Sequence, residues 1–359
     1  MISVSGRKWQ ERKVNTKLVE KIQQDFNFSR IISQLIVSRR FDKNEIHLIE
    51  NNLKLSNIFQ NNPDFINSVK LVERSIKKKE YICVLGDYDV DGSVATALFS
   101  KFFQSLNYPH FYYIPDRIKD GYGASKKLFE KLILKKPKLV IMVDCGSSSS
   151  DAINFLNKNN IKTLVIDHHE ISRPFPKANF IINPKKDNGY LEYDYLCATS
   201  LTYFFLDMLI RKFKNKINLK EYLIYVLLAT VCDVMPLRKL NRLISITALK
   251  EFKITDNRVF NQLYKLSNIK KKIDINDLAF LIGPILNSGG RLGKSNFATE
   301  LLSTNKLSIV NKRSQELIKL NNKRKDIESA ILADIDFNKI KNENDEIIIY
   351  NDLNINEGL

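Results

Sequence analysis

The chain has 359 residues, 44% hydrophobic and 10% aromatic, which is enough to form two domains and excludes global disorder. Its four cysteines are scattered and form no CxxC pair, which argues against a disulfide framework and against a zinc knuckle. The N-terminus carries charges where a signal peptide needs an apolar run, and polar residues interrupt the longest apolar stretch, 196–210. We therefore expect a cytoplasmic protein without a membrane segment.

The formal net charge of +17 is the first indication of function. An excess of lysine and arginine attracts polyanions, and nucleic acid is the commonest polyanion in a cell. The alternative is a compositional bias, because lysine, asparagine and isoleucine are abundant throughout and lysine runs such as 77–79 are also typical of solvated surfaces. Charge alone favours nucleic-acid binding without establishing it.

Taken in chain order, residues 1–75 have apolar positions at helical spacing and lack clustered catalytic residue types, so they predict a helical supporting layer. From Tyr81 onward, short apolar runs alternate with amphipathic helices. The strand-like runs are 81–85, 110–114, 138–143 and 161–166. This alternation predicts an α/β fold in which a parallel β-sheet carries helices on both faces.

The remainder of the chain has mostly helical patterns. Residues 196–282 include a nearly all-apolar segment, 222–232, which predicts a buried helix, and a Gly-containing turn is expected at 287–291. A basic helix at 308–335 would connect two domains, and a new strand is predicted at 346–350. Because one strand cannot bury a core, we expect the chain to end inside its second domain.

Acidic residues and histidines cluster where the apolar runs end. Asp87, Asp89 and Asp91 follow the first strand-like run, Asp144 follows the third, Asp167, His168 and His169 follow the fourth, and Asp233 ends the buried helix. Ligands bind outside the carboxyl ends of the strands in an open parallel sheet, so the first three clusters should meet on one rim. Helical wrapping would bring Asp233 to the same place.

Several converging carboxylates repel one another unless cations neutralise them. Carboxylate oxygen mixed with imidazole nitrogen suits Mn²⁺ or Mg²⁺, and two such ions would activate a water against a phosphodiester. Each cluster has a structural alternative. The DxDxDG string at 87–92 also fits a turn or a Ca²⁺ loop, Asp144 a strand-end or helix cap, and Asp233 a buried hydrogen-bonded carboxylate.

Four segments, in order, resemble motifs I to IV of the DHH phosphoesterase superfamily: GDYDVDG, VDCG, IDHHE and TVCDVMPL. Further segments are similar to RecJ-type exonucleases within it: IPDRIKDGYG at 114–123, INPKKD at 182–187, LNSGGRLG at 286–293 and LNNKRKDIE at 320–328. The similarity runs from about Trp9 to the end of the chain. Because independent segments occur in the right order, the resemblance is specific.

The resemblance implies a centre of two Mn²⁺ or Mg²⁺ ions. The first ion would be held by Asp89 and Asp144 with Asp87 contributing, and the second by Asp91, Asp144, His168 and Asp233. His169 would face the scissile phosphate, and Asp167 would orient the histidines. Arg117, Asn287 and Arg291 would bind the substrate, the two arginines by gripping phosphate, although a surface salt bridge is the structural alternative for each arginine.

The implied function is degradation of single-stranded DNA in the 5′ to 3′ direction, in repair and recombination, with a helicase or single-strand-binding protein as a candidate partner. The implied domains are a helical segment at 1–75, a DHH domain at 76–300, a connecting helix at 301–340 and the start of a truncated DHHA1-like domain at 341–359. The Trp and His of a family Trp-His-x-Gly motif are missing near 356–359. Two alternatives stay open: a phosphodiesterase of short oligonucleotides or cyclic dinucleotides, and an inactive nucleic-acid-binding fragment.

Overall fold

The computed structural model describes residues 2–8, 10, 12–50, 55–117, 119–121, 123–186 and 190–334. They fall into two compact units, one within 1–55 and 238–243 and the other within 56–237 and from 244 onward. The strand predicted at 346–350 and the second-domain start predicted at 341–359 lie outside the described residues. None of the described helices is long and apolar enough to cross a membrane.

The first unit is helical, as the sequence predicts. Its helices are α1 (Thr16–Phe26), α2 (Arg30–Ser38) and α3 (Lys43–His47). Each begins at a polar N-cap residue whose side chain accepts a backbone N–H of the first turn, namely Asn15, Ser29 and Asp42. The three helices contribute one buried side chain each, Ile22, Ile36 and Ile46, to a small shared core.

The second unit is built on a five-stranded sheet. Its strands are β1 (Ile82–Gly86), β2 (His110–Tyr113), β3 (Leu139–Val143), β4 (Lys162–Ile166) and β5 (Phe180–Ile182). All neighbours pair in parallel, in the order β2-β1-β3-β4-β5. The predicted α/β class is confirmed, and the four predicted strand-like runs correspond to β1 to β4. The sequence analysis did not predict β5, which has only three residues.

Helices make up most of the rest of the second unit. They are α4 (Pro63–Lys77), α5 (Val90–Ser105), α6 (Lys126–Leu132), α7 (Ser150–Lys158), α8 (Ala198–Lys212), α9 (Leu223–Cys232), α10 (Lys239–Glu251, whose first residues belong to the first unit), α11 (Arg258–Leu266), α12 (Ile275–Asp277), α13 (Gly283–Arg291), α14 (Asn296–Ser303) and α15 (Leu307–Asp334). Side chains from α6 and α7 pack against one face of the sheet, where Val140 and Met142 of β3 point. Helices α5 and α8 contact the sheet as well, and β1 and β3 are fully buried, which explains their uninterrupted apolar sequence.

One local prediction is wrong: residues 287–291 form the end of α13 and not a turn. The Gly289-Gly290 pair favours a turn by propensity, but close packing requires these glycines within the helix. A Cβ atom on Gly290 would lie 2.6 Å from the backbone oxygen of Tyr88, so only glycine allows this approach. The predicted helices at 222–232 and 308–335 are observed as α9 and α15.

Candidate metal centre

The strand order creates a crevice at the carboxyl ends of β1 and β3, where the acidic clusters are expected. Strands β2 and β3 lie on opposite sides of β1, so the chain reverses its direction of winding between β1 and β3. Ligands bind at the carboxyl ends of the strands at such a reversal. Asp87 follows β1 and Asp144 follows β3, while Asp167, His168 and His169 follow β4. The structure thus brings the first three predicted clusters to one rim.

The loop after β1 is tightly folded around Gly92. Asp89 is the N-cap of α5, and its carboxylate accepts the N–H of Gly92 at 3.0 Å. A Cβ atom on residue 92 would lie 2.4 Å from the backbone nitrogen of Asp87, so the glycine of the DxDxDG string is sterically required. Asp87, Asp89 and Asp144 offer ligand atoms that all lie within 4.8 Å of one another.

Asp91 is held by the first turn of α8. Its two carboxylate oxygens accept the backbone N–H groups of Ala198, at 2.7 Å, and Thr199, at 2.8 Å. The Thr199 hydroxyl donates in turn to the backbone oxygen of Asp91 at 2.9 Å, and all three residues are buried. The segment Cys197–Ser200 therefore fixes the orientation of Asp91. This anchoring was not predicted from the sequence, because Asp91 and Thr199 are far apart in the chain.

Asp144 lies at the centre of the cluster. It is 1% exposed, and neither carboxylate oxygen has a hydrogen-bond partner among the residues that the structure describes. Its φ of 60° is in the left-handed region, which an aspartate tolerates better than most residues but which is typical of strained functional positions. The imidazole Nε2 of His168 lies 3.3 Å from Asp144 Oδ1, 3.4 Å from Asp233 Oδ2 and 3.7 Å from Asp91 Oδ2. Asp233 therefore reaches the site from the end of α9.

Asp167 organises the histidine pair. Its Oδ1 accepts the backbone N–H of His168 at 2.8 Å, the backbone N–H of His169 at 3.2 Å and the ring Nδ1–H of His169 at 2.8 Å. Its Oδ2 accepts the N–H of Ser147 at 3.0 Å. The hydrogen bond from His169 lowers the pKa of Asp167 against the opposing effect of burial, and the same bond raises the pKa of His169 to about 9. Asp167 is thus placed to orient both rings.

Without a cation, the electrostatics of this cluster are unfavourable. Burial, followed by the charge of neighbouring carboxylates, raises the pKa of Asp87 to about 7 and that of Asp233 to about 7. The same causes raise the pKa of Asp89 and hold that of Asp144 well above its ordinary range. In addition, within the described part of the chain, buried atoms of Asp87, Asp144, His168 and Asp233 lack a hydrogen-bond partner. Native proteins rarely leave such atoms unsatisfied, so these atoms are suited to bind something else.

Divalent cations fit this arrangement. The described residues contain three groups of candidate ligands: Asp87 with Asp89 and Asp144, Asp91 with His168 and Asp233, and Asp144 with His168 and His169. Ligands about 2.1 Å from one octahedral ion are about 3 Å apart, close to the separations around His168. Asp144 belongs to two of the groups and is placed to be shared. The structure brings together all six predicted metal ligands; which ion each of them binds stays a prediction.

Three arginines lie beside the aspartate loop 87–92, and we call them the basic wall: Arg117, Arg291 and Arg324. The guanidinium of Arg117 is 5.4 Å from the ring centre of Tyr88, which belongs to that loop. Burial lowers the pKa of Arg291, and the positive charges of Arg324 and Arg117 lower it further. The charges of Arg324 and Arg117 therefore act on Arg291, and an anion bound beside Arg291 would offset their effect. The sequence analysis assigned no role to Arg324, although it lies in the segment 320–328 that resembles RecJ.

Asn287 and Arg291 also line a cleft of about 480 Å³ together with Arg324. Its apolar side includes two strongly exposed residues: Val234, 86% exposed, and Phe280, 79% exposed. Phe280 lies in a π-helical turn, Leu278–Ile282, and Val234 follows the candidate ligand Asp233 with a φ of 55°. Of the predicted substrate-binding residues, His169 lies in the acidic cluster, and Asn287 and Arg291 line this cleft. Arg117 lies over the ring of Tyr88.

Comparison with known proteins places this architecture. Residues 81–230 match the DHH family, N-terminal domain. The single-stranded-DNA-specific exonuclease RecJ of Haemophilus influenzae is 30% identical over 275 residues, which cover 74% of this chain and 48% of that protein. The RecJ of Bacillus subtilis is 24% identical over 332 residues, covering 91% of this chain and 41% of that protein. A crystal structure of RecJ in complex with Mn²⁺ from Thermus thermophilus superposes with a TM-score of 0.75 at 21% identity, covering 89% of this chain and 46% of that one.

The protein is therefore an α/β protein whose parallel sheet carries carboxylate and imidazole groups at the crevice between β1 and β3. This acidic centre is suited to two cations. Residues 81–230 thus match the DHH family, and the predicted resemblance of the chain to RecJ-type proteins is confirmed. It spans just under half the length of the curated relatives described above.

Proposed function

We propose that this protein hydrolyses the phosphodiester bonds of single-stranded DNA from the 5′ end, with two Mn²⁺ or Mg²⁺ ions, in DNA repair and recombination. The observation that carries the proposal is the convergence of six candidate ligands, four of which have buried atoms without a hydrogen-bond partner among the described residues: Asp87, Asp144, His168 and Asp233. The names of the relatives, which are single-stranded-DNA-specific exonucleases, support the choice of substrate.

In this proposal Asp87, Asp89 and Asp144 hold one ion, and Asp91, Asp144, His168 and Asp233 hold the other. When bound, the ions supply an activated water and neutralise the charge of the phosphate oxygens. The protein supplies the positions: α8 fixes Asp91 through two backbone N–H groups, and Asp167 fixes the ring of His169. Because Nδ1 of His169 is engaged with Asp167, the other ring nitrogen is left to contact the scissile phosphate.

The substrate would lie against the basic wall. Arg117, Asn287 and Arg291 would bind the phosphate backbone, and the exposed ring of Phe280 is suited to stack with a base. The net charge of +17 supports association with a polyanion. We further propose a cytoplasmic location, a helicase or single-strand-binding protein as partner, and a DHH domain at 76–300 followed by a connecting helix, of which the described part is α15 (Leu307–Asp334).

A nuclease assay with end-labelled DNA tests this proposal. Single strands and duplexes, labelled at either the 5′ or the 3′ end, would be incubated with the protein and Mn²⁺. We expect single strands to be shortened from the 5′ end, and Asp144→Asn to abolish the activity without unfolding the protein. The matched control is Asp25→Asn, which removes an exposed carboxylate of α1 and should keep full activity.

Four outcomes would contradict the proposal. Equal loss of duplex and single strand, or shortening only from the 3′ end, would refute the specificity. Retained turnover in Asp144→Asn would refute the shared ligand. Faster turnover of a dinucleotide than of a long single strand would instead favour a phosphodiesterase of short oligonucleotides.

A further inference from the structure

A second cleft lies well away from the acidic centre. It has a volume of about 810 Å³ and is formed by the end of α5, the segment 218–225, the segment 251–259 and residues 304–305. Lys101 of α5 lines it, eleven residues after Val90, so it is displaced roughly 16 Å along the helix from the end that carries Asp89. None of the residues assigned above to metal or substrate binding lines this cleft.

Lys101 contributes a positive charge to the cleft and forms no ion pair with any described residue. Its ammonium group donates to Asn305 Oδ1 at 3.3 Å and lies 5.5 Å from the ring centre of Tyr222. No carboxylate lies within ion-pair distance of it among the residues that the structure describes. Burial lowers the pKa of Lys101 to about 8, so at neutral pH the group is still charged although it is partly removed from water.

A second cation converges on the same asparagine. Arg258 donates from Nη1 to the backbone oxygen of Asn305 at 2.9 Å, and within the described part of the chain it too forms no ion pair. Both acceptor atoms on Asn305 are neutral, so the contacts with this residue leave both cations without an ion pair in the described part of the chain. Two such charges at one side of a cleft favour a doubly charged anion, and a phosphate monoester is one at neutral pH.

The rest of the cleft provides groups that suit a sugar. Glu251, Asp256 and Asn218 line it, and their oxygens can accept hydrogen bonds from hydroxyl groups. Its volume lies within the range of clefts that hold small organic ligands. We propose that this cleft binds a small phosphate ester that carries hydroxyl groups, such as a sugar phosphate or a mononucleotide, with its phosphate between Lys101 and Arg258.

Calorimetric titration of the full chain in EDTA tests the proposal, because removal of divalent ions separates this cleft from the acidic centre. The probes are inorganic phosphate, ribose 5-phosphate and deoxyadenosine monophosphate. We expect saturable binding of at least one of the two esters, weakened about tenfold or more in Lys101→Met and in Arg258→Met. Lys158→Met removes an exposed lysine of α7 outside the cleft and should leave the affinity unchanged.

The three probes also distinguish the sources of the phosphate. Tighter binding of the mononucleotide than of ribose 5-phosphate identifies a nucleotide site, and equal binding identifies a sugar-phosphate site. Absence of saturable ester binding at millimolar concentration, or equal affinity in both cleft variants and the wild type, overturns the proposal. If Lys101→Met fails to fold, Arg258→Met decides alone, because Arg258 is exposed. Binding is measured without turnover, so the result is independent of nuclease activity.

Discussion

Replacing Asp87 with asparagine should stabilise the metal-free protein at alkaline pH, although it removes a candidate metal ligand. Asp87 is 2% exposed, and no described residue forms a hydrogen bond with its Oδ1. Burial and the neighbouring charge of Asp89 raise its pKa to about 7. In the unfolded chain the same carboxyl group has a pKa of about 3.9. Folding without metal therefore opposes ionisation of this group.

The difference between the pKa of Asp87 in the folded and in the unfolded state determines how the free energy of unfolding changes with pH. A raised carboxyl pKa means that the folded state holds the proton of Asp87 more tightly than the unfolded state does. The stability that the protonated group contributes is therefore fully present below about pH 4 and is lost as the pH rises through about 7. The difference of about 3 pKa units corresponds to about 4 kcal/mol at alkaline pH. About 2 kcal/mol of that should appear between about pH 5.5 and about pH 8. Asparagine cannot ionise, so the variant does not lose this stability as the pH rises.

Urea unfolding in EDTA at the two pH values measures the effect. The free energy of unfolding of Asp87→Asn minus that of the wild type should increase by about 2 kcal/mol from the lower to the higher pH. The exposed control Asp25→Asn should show no such increase. Added Mn²⁺ should stabilise the wild type more than the variant, because the variant lacks a ligand. If the difference in the free energy of unfolding between variant and wild type does not depend on pH, the pKa of Asp87 is not raised in the folded state and the prediction is wrong.

Three further substitutions test other parts of the site. Thr199→Val removes the hydroxyl that donates to the backbone of Asp91, which should cost about 1 to 2 kcal/mol in urea unfolding and weaken Mn²⁺ binding in calorimetry. Val234→Asn places a residue that tolerates the left-handed conformation at a φ of 55° and should raise the free energy of unfolding by about 1 kcal/mol. Phe280→Ala should weaken binding of a single strand, measured by fluorescence anisotropy, by about one order of magnitude, because a stacking surface is lost.

Each of the three has a control. Thr199→Ser keeps the hydroxyl and should retain most of the stability and the metal affinity. Val234→Ala keeps the strain of a non-glycine residue and should not stabilise the protein, so equal gains in both variants would exclude strain relief. Phe280→Tyr keeps an aromatic ring and should bind DNA normally. Unchanged affinity in Phe280→Ala would show that this ring does not contact the strand.

The position of the acidic centre could be predicted from the sequence because two local signals coincide there. Uninterrupted apolar runs identify buried parallel strands, and topology places their carboxyl ends on one rim. Asp87, Asp144 and His168 each follow such a run directly or within one residue. Their convergence therefore depends only on strand assignment, and β1, β3 and β4 are strong assignments because both faces of each strand are covered.

The parts that were missed depend on contacts between distant segments. The anchoring of Asp91 by Thr199 and the approach of Arg324 to Arg291 join residues from different helices, and neither leaves a periodic pattern in the sequence. The Gly289-Gly290 pair was misinterpreted because local propensity favours a turn, whereas the close approach of the helix to Tyr88 decides the structure. Tertiary packing overrides propensity at such positions.

The number of Mn²⁺ ions bound per chain tests the proposed two-metal centre most directly. Calorimetric titration of the metal-free protein should give two ions per wild-type chain. Asp144→Asn should lose the wild-type affinity for both, because Asp144 lies within ligand distance of both candidate sets. Asp25→Asn should bind two ions normally. A wild-type chain that binds no ion or only one, or an Asp144→Asn variant that binds two with unchanged affinity, would contradict a two-metal centre that shares this carboxylate.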